Sequence, residues 1–317
     1  MTVRTVLGDV GSSVLGATLV HEHLILDSPL IESDYPHIHL PSVDDAVAEL
    51  EPCTQVGIGG MVDAMPAAGG RKPERLADIS RRTGVAIVAT TGLHTPKYYA
   101  SHPWAIDINP DELSALFVAD IEQGMDRHDH MGPVVERTEH RAGIIKVATD
   151  HDGFTERAEM LWRAAVDAAA VTRVPILTHC EDGLGAMAQI EAFGRLGFPL
   201  ERVVISHTDK VADHSYHRDL MDSGVNLEYD QALRSSTDRE NQTAVLAAEM
   251  IADGYVGSLM FGTDGARRSL WTTHGGAPGL AWMHTGFLDA LGAHGASADD
   301  VAAVFVTNPQ RFLSLAR

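Results

Sequence analysis

Along the chain, short runs of Val, Ile and Leu alternate with longer stretches whose apolar residues recur every three to four positions. The runs are Leu19 to His23, Gly60 to Ala64, Val85 to Thr90, Ile144 to Ala148, Ile176 to His179, Val203 to His207, Val225 to Tyr229 and Leu259 to Gly262. Short, nearly continuous apolar runs predict strands buried on both faces, and the helical period predicts helices between them. Those helices fall at about 44 to 56, 73 to 83, 111 to 125, 155 to 172, 184 to 196, 213 to 223, 239 to 253 and 279 to 293. Ser42, Asn109 ahead of Pro110, and Thr155 stand where N-caps belong. Eight strand–helix units predict an α/β fold, a parallel sheet closed into a (β/α)8 TIM barrel, with residues 1 to 317 as a single domain.

Three segments lack periodicity: about 92 to 110, 127 to 142 and 265 to 279. The first and third follow strands and belong over the C-terminal mouth, where barrel enzymes place their chemistry. The second precedes the fourth strand and is expected on the opposite face, with His128, His130 and His140 as solvated surface residues.

Composition narrows the class of function. With 44% hydrophobic and 21% charged residues, the 317-residue chain reads as globular. A formal net charge of -20 argues against nucleic acid or an anionic membrane as partner, and leaves a small-molecule substrate. The start of the sequence has no apolar signal-like region and no run approaches about 18 apolar residues, so a cytoplasmic location is expected. Cys53 and Cys180 are the two cysteines, without a Cys-x-x-Cys pair, which disfavours a disulfide scaffold or a thiolate zinc site.

The chemistry gathers at strand ends. His21 and His23 flank Glu22, and on an extended backbone the two imidazoles point one way and the carboxylate the other. Glu22 is therefore expected to be structural. Lys146 interrupts the apolar fourth run, and an ammonium enclosed in a barrel must be neutral, paired or chemically altered. The fifth run ends in His179, the sixth in His207, and Asp264 follows the eighth. Cys180, next to His179, should face away from them.

These motifs carry a resemblance. Gly8-Asp9-Val10, Leu15 to Leu24, Gly143-Ile144-Ile145-Lys146, Thr178-His179, Ser206-His207 and Gly262-Thr263-Asp264 are together similar to the phosphotriesterase-like family of the amidohydrolase superfamily. The resemblance implies a binuclear metal hydrolase in which a lysine carbamylated by carbon dioxide bridges two divalent ions. By that resemblance His21, His23 and Asp264 hold the buried ion, His179 and His207 hold the exposed one, and Lys146 becomes N6-carboxylysine. The donor set suits zinc first, with manganese, cobalt or iron as alternatives. Two ions sharing a hydroxide would supply the nucleophile, and Asp264 would accept its proton. The resemblance also implies a homodimer.

Lactones, phosphotriesters and N-acyl amides are the substrates the family implies, and a lactone is ranked first. The stretch from Gly262 to Trp271 with Gly275 to Leu280 is similar to the branch acting on phosphorylated sugar lactones. Arg267, Arg268, Arg234 and Lys97 are then candidates to hold a phosphate. Against a phosphate, the segment Ile25 to Pro36 carries Asp27, Glu32 and Asp34 and no Lys or Arg. Tyr98 and Tyr99 are candidates to contact a neutral lactone instead. Two other readings are a Schiff-base lyase using Lys146 as nucleophile, which leaves four histidines and Asp264 unexplained, and a binding protein that has lost chemistry, against which the intact ligand set argues.

Overall fold

The computed structural model describes residues 1–316. A short antiparallel hairpin, β1 (Thr2–Thr5) and β2 (Gly8–Gly11), precedes eight strands that pair in parallel in sequence order. They are β3 (Ala17–Glu22), β4 (Ile58–Asp63), β5 (Ala86–Gly92), β6 (Ala142–Thr149), β7 (Ile176–Cys180), β8 (Val203–Ser206), β9 (Asn226–Tyr229) and β10 (Leu259–Phe261). Helices Val43–Gln55, Pro73–Thr83, Pro110–Glu122, Glu156–Thr172, Ala186–Arg195, His214–Asp222 and Gln242–Ala252 return the chain between strands, so the predicted TIM barrel is the fold. Ser42, Asn109 and Thr155 cap their helices by accepting from Asp45, Glu112 and Ala158 N–H. The helix expected over 279 to 293 is two pieces, a 3-10 turn Leu280–His284 and the helix Gly286–Ala293, broken at Thr285. Among the described residues no helix is long and apolar enough to cross a membrane.

The barrel interior is filled in layers. Val20, Val62, Val88, Ile144, Leu177, Val204 and Met260 form one apolar layer, closed at the N-terminal end by Val3, Leu15, Phe312 and Leu313. Two residues further along their strands, with period two, come Lys146, His179, Ser206 and Gly262. The polar layer therefore rests on a packed hydrophobic floor.

β3 departs from simple alternation. Between Leu19 and Glu22 it advances three residues while β4 advances two, from Met61 to Asp63. This extra residue lets Val20 join the apolar floor while His21 still turns inward, the re-aiming that a bulge performs. Glu22 points to the outer side, where it accepts from Thr263 N–H at 3.0 Å and from the Thr263 hydroxyl. His21 O accepts from the N–H of both Thr263 and Asp264, at 3.1 and 3.0 Å. These bonds join the first and last barrel strands at the C-terminal rim. Gly262 sits in that join, and a Cβ there would lie 2.7 Å from His21 N.

The segment before β6 differs from expectation. Its first part climbs the side of the barrel, where the Asp129 carboxylate accepts from Ala68 and Gly70 N–H in the loop that follows β4, while its end at His140 stays at the N-terminal side as expected, against Val6. His130 is buried and 3.1 Å from Asp120, and buried His140 bonds Val6 O through Nδ1 at 2.8 Å, so neither is a solvated surface residue. His128 is exposed, as expected. The anchor is Arg71, with no exposed surface, which donates to Asp120 at 2.5 Å, Asp129 at 3.0 Å and Thr90 O at 2.7 Å. Removing one partner of such a buried cluster strands the other charges, at a cost of roughly 3 to 5 kcal/mol. Arg71→Met should lower the unfolding free energy by about that amount in urea titrations, whereas Arg163→Met on an exposed helix face should change it by less than about 0.5 kcal/mol. Equal small effects would show that Arg71 does not hold this face together.

Candidate active site and metal centre

All six residues singled out as ligands converge inside the C-terminal mouth. His21 Nε2 lies 3.1 Å from Lys146 Nζ and 3.8 Å from Asp264 Oδ1; His23 Nε2 lies 3.3 Å from the same Asp264 oxygen. His179 Nδ1 faces His207 Nε2 at 2.7 Å. His207 and Asp264, just past their strands, both take the left-handed backbone conformation, with φ of 68° and 43°. For residues with a Cβ that costs on the order of 1 to 3 kcal/mol. The surrounding bonds offset it: His207 N–H donates to Asp230 at 3.2 Å, and Asp264 N–H to His21 O.

Acids behind the donors, Glu228 and Asp230 buried and Glu181 at the cavity wall, bear on the histidine tautomers. His21 Nδ1 stands 3.1 Å from Ser206 Oγ and 3.3 Å from Glu228 Oε2, and His207 Nδ1 is 2.6 Å from Asp230 Oδ2. His179 Nε2 is 2.9 Å from Glu181 Oε2. A neutral imidazole has one N–H and one lone pair, and the nitrogen facing a carboxylate takes the proton. His179 Nδ1 and His207 Nε2 are then both bare, aimed at each other across 2.7 Å. Two acceptors face to face repel unless a cation lies against both. His21, His23 and Asp264 likewise present donor atoms within 4.8 Å of one another, as do His21, His207 and Asp230. The donor set therefore fits divalent metal ions of the zinc type.

Electrostatics points the same way. Burial pulls the Lys146 ammonium down to about 8, despite the opposing pull of Asp264 and Asp230. Burial, then Lys146, holds His21 well below the usual imidazole range, and burial with His207 does the same for His179. Both rings are therefore neutral and able to donate lone pairs. Asp264 goes the other way. Burial opposes its ionisation, but the Arg234 guanidinium, bonded to Oδ2 at 2.7 Å, and His23 hold it well below the carboxylate range. Burial raises Glu22 to about 8, consistent with its structural role away from the donors. Cys180 likewise faces away, bonded to Leu184 O.

Above the donors opens a cavity of about 390 Å³. Leu26, Ile31, Tyr35 and Ile38, from the loop after β3, with Met65 make one apolar wall; His94, Lys97, Tyr98, Glu181, Lys210, Gln231, Arg234 and Arg267 supply polar groups. Of the six substrate contacts expected from sequence, Tyr98 and Arg267 line the cavity unencumbered by an ion pair. Lys97 lines it but is 3.3 Å from Glu181. Arg234 lines it but is occupied by Asp264 and by the carbonyls of Asp230 and Thr263, each at 3.0 Å. Tyr99 is overturned: it is fully buried, accepting from His94 N–H and donating to Ala67 O, so it shapes the loop instead of meeting substrate. Arg268 is also outside, exposed and donating to His39 O at 3.3 Å. Asp27, one of the three acids counted against a phosphate, is paired with Arg75 at 2.8 Å and lies 3.0 Å from His39. Sequence reasoning missed Lys210, three residues past His207, and Glu181, two past His179; their only signal was closeness to a ligand.

The chain matches the Phosphotriesterase family over residues 1–313. It is 30% identical over 325 residues to a phospho-furanose lactonase of Mycoplasmopsis synoviae, covering 98% of this chain and 91% of that one. It is 28% identical over 321 residues to an aryldialkylphosphatase of Saccharolobus solfataricus, covering 96% and 97%. Among solved structures, an amidohydrolase from Mycoplasma synoviae superposes with a TM-score of 0.94 at 26% identity, over 100% of this chain and 92% of that one.

Arg234 serves Asp264 in this geometry, whatever the substrate. A charge-assisted hydrogen bond is worth roughly 1.5 to 3 kcal/mol, so Arg234→Met should lower kcat by about ten- to a hundredfold. The loss should be the same for two substrates that differ in charge, measured by steady-state hydrolysis. A loss confined to the anionic substrate would return Arg234 to substrate binding.

Proposed function

Since the chain belongs to the phosphotriesterase family, and is a hydrolase of its metal-dependent phosphotriesterase and lactonase type, we propose that it opens a lactone carrying an anionic substituent. The observation that carries the reading is the mouth itself: six convergent donors under a cavity where two cations, Lys210 and Arg267, have no acidic partner within 4.0 Å among the described residues. Likeness over almost the whole chain to a phospho-furanose lactonase supports the same substrate class.

His21, His23 and Asp264 would hold one ion, His179 and His207 the other, with Lys146 between them as N6-carboxylysine. Near pH 8 a good fraction of the Lys146 amine is unprotonated, and its nitrogen can add to carbon dioxide with loss of one proton. The resulting carbamate removes the buried positive charge beside His21. When bound, the ions, zinc in the first instance, supply a hydroxide nucleophile at neutral pH and polarise the lactone carbonyl.

Asp264 takes the proton released as water adds to the carbonyl carbon. It returns that proton to the ring oxygen as the carbonyl carbon–ring oxygen bond breaks, giving a hydroxy acid. Arg234 cannot accept a proton near neutral pH, so it keeps Asp264 oriented and prevents a side route for that proton. The wall of Leu26, Ile31 and Tyr35 excludes water from one side, and Tyr98, packed edge-on to His94 with ring centroids 4.7 Å apart, presents its ring to the substrate.

The test compares a phosphorylated sugar lactone with a neutral lactone of equal ring size. Lys210→Met and Arg267→Met should each lower kcat/KM for the phosphorylated substrate by about ten- to a hundredfold, from contacts of roughly 1.5 to 3 kcal/mol. The neutral substrate should change by less than about threefold. No preference for the phosphorylated lactone in the parent enzyme, or equal losses on both, would assign the cavity to neutral lactones held by the apolar wall and Tyr98.

A further inference from the structure

Three of the four histidines at the site differ in how their second nitrogen is held. His21 and His207 lean on fully buried groups from other strands or their ends: Ser206 and Glu228 for one, Asp230 for the other. His179 leans on Glu181, which comes from its own strand end and lines the cavity. Glu181 opens the 3-10 turn Glu181–Gly183 directly after β7. Its side chain is 16% exposed, and one oxygen, Oε2, serves two partners: His179 Nε2 at 2.9 Å and Lys97 Nζ at 3.3 Å. The other oxygen lies 4.0 Å from His151 Nε2.

We propose that Glu181 is a positioning residue for His179, fixing the proton on Nε2 so that Nδ1 is presented as a lone pair to the second ion, with Lys97 competing for the same carboxylate oxygen. The inference rests on the two-ion reading above. Without Glu181, His179 is free to take the other tautomer or turn its ring, and no other carboxylate lies within 4.0 Å of its Nε2 among the described residues. His207 has no such freedom, because Asp230 is walled in. Loss of Glu181 should therefore weaken one ion of the pair and spare the ion assigned to His21, His23 and Asp264. Outer partners of ligating histidines typically contribute ten- to a hundredfold in metal affinity. Lys97, in contrast, draws on the oxygen that His179 needs, so its removal should strengthen the His179 contact.

The experiment is zinc titration of apoenzyme against a chromophoric chelator, with circular dichroism and thermal melts of each apoprotein to confirm folding. The parent should bind two zinc ions per chain, and His179→Ala should lose one. Glu181→Ala should bind the first ion as the parent does and the second ten- to a hundredfold more weakly. Glu181→Gln, whose amide oxygen still accepts from Nε2–H, should recover part of that affinity, and Lys97→Met should bind the second ion more tightly than the parent, an unchanged affinity ruling out the competition by Lys97. If Glu181→Ala keeps both affinities, the proposal is wrong and Glu181 is a wall residue. If the parent itself binds fewer than two ions, the two-ion reading fails instead.

Discussion

The site depends on how the barrel closes. One carbonyl, His21 O, accepts from Thr263 and Asp264 N–H, and Glu22 holds Thr263 from the other side. That join brings the first strand's two imidazoles and the last strand's carboxylate together, with His23 Nε2 3.3 Å from Asp264 Oδ1. It also forces Asp264 into a left-handed backbone, a strain maintained by the hydrogen bonds around it. Glu22, between two inward histidines, is thus not idle: it keeps the seam in register so that the donors converge.

Burial does the rest. Below the donors lies an apolar layer from Val20 to Met260, and behind them stand Ser206, Glu228 and Asp230, all inaccessible to solvent. In such surroundings an imidazole stays neutral and a carboxylate stays ionised only beside a cation. His21 and His179 follow the first rule, Asp264 with Arg234 the second. The consequence is a ring of lone pairs and one anion with too few protons to satisfy them, which is the electrostatic definition of a cation site.

Much of this was legible in the sequence because strand period and residue type suffice for it. Eight apolar runs gave the barrel, and ligand-type residues at their ends gave the donors. The cavity wall was less legible, for a physical reason. Tyr98 and Tyr99 are neighbours on a 3-10 turn, and Arg267 and Arg268 neighbours at the start of another, where no simple alternation tells inside from outside. The structure turns Tyr98 and Arg267 to the cavity and the others away. Arg234 lines the cavity, but its pairing with Asp264 was not foreseeable, since Asp264 is thirty positions distant. His130 and His140 were not legible as buried because their partners are distant: His130 joins Asp120, held by Arg71 across 49 positions, and His140 bonds Val6 O, 134 positions away.

The central claim is a pair of ions shared between the two donor groups through Lys146. Anomalous diffraction from zinc-loaded crystals tests it most directly. The account predicts two peaks, one against His21, His23 and Asp264 and one against His179 and His207, with density extending from Lys146 Nζ to both. A single peak, or one lying among His21, His207 and Asp230, where the structure also brings three donors together, would contradict it.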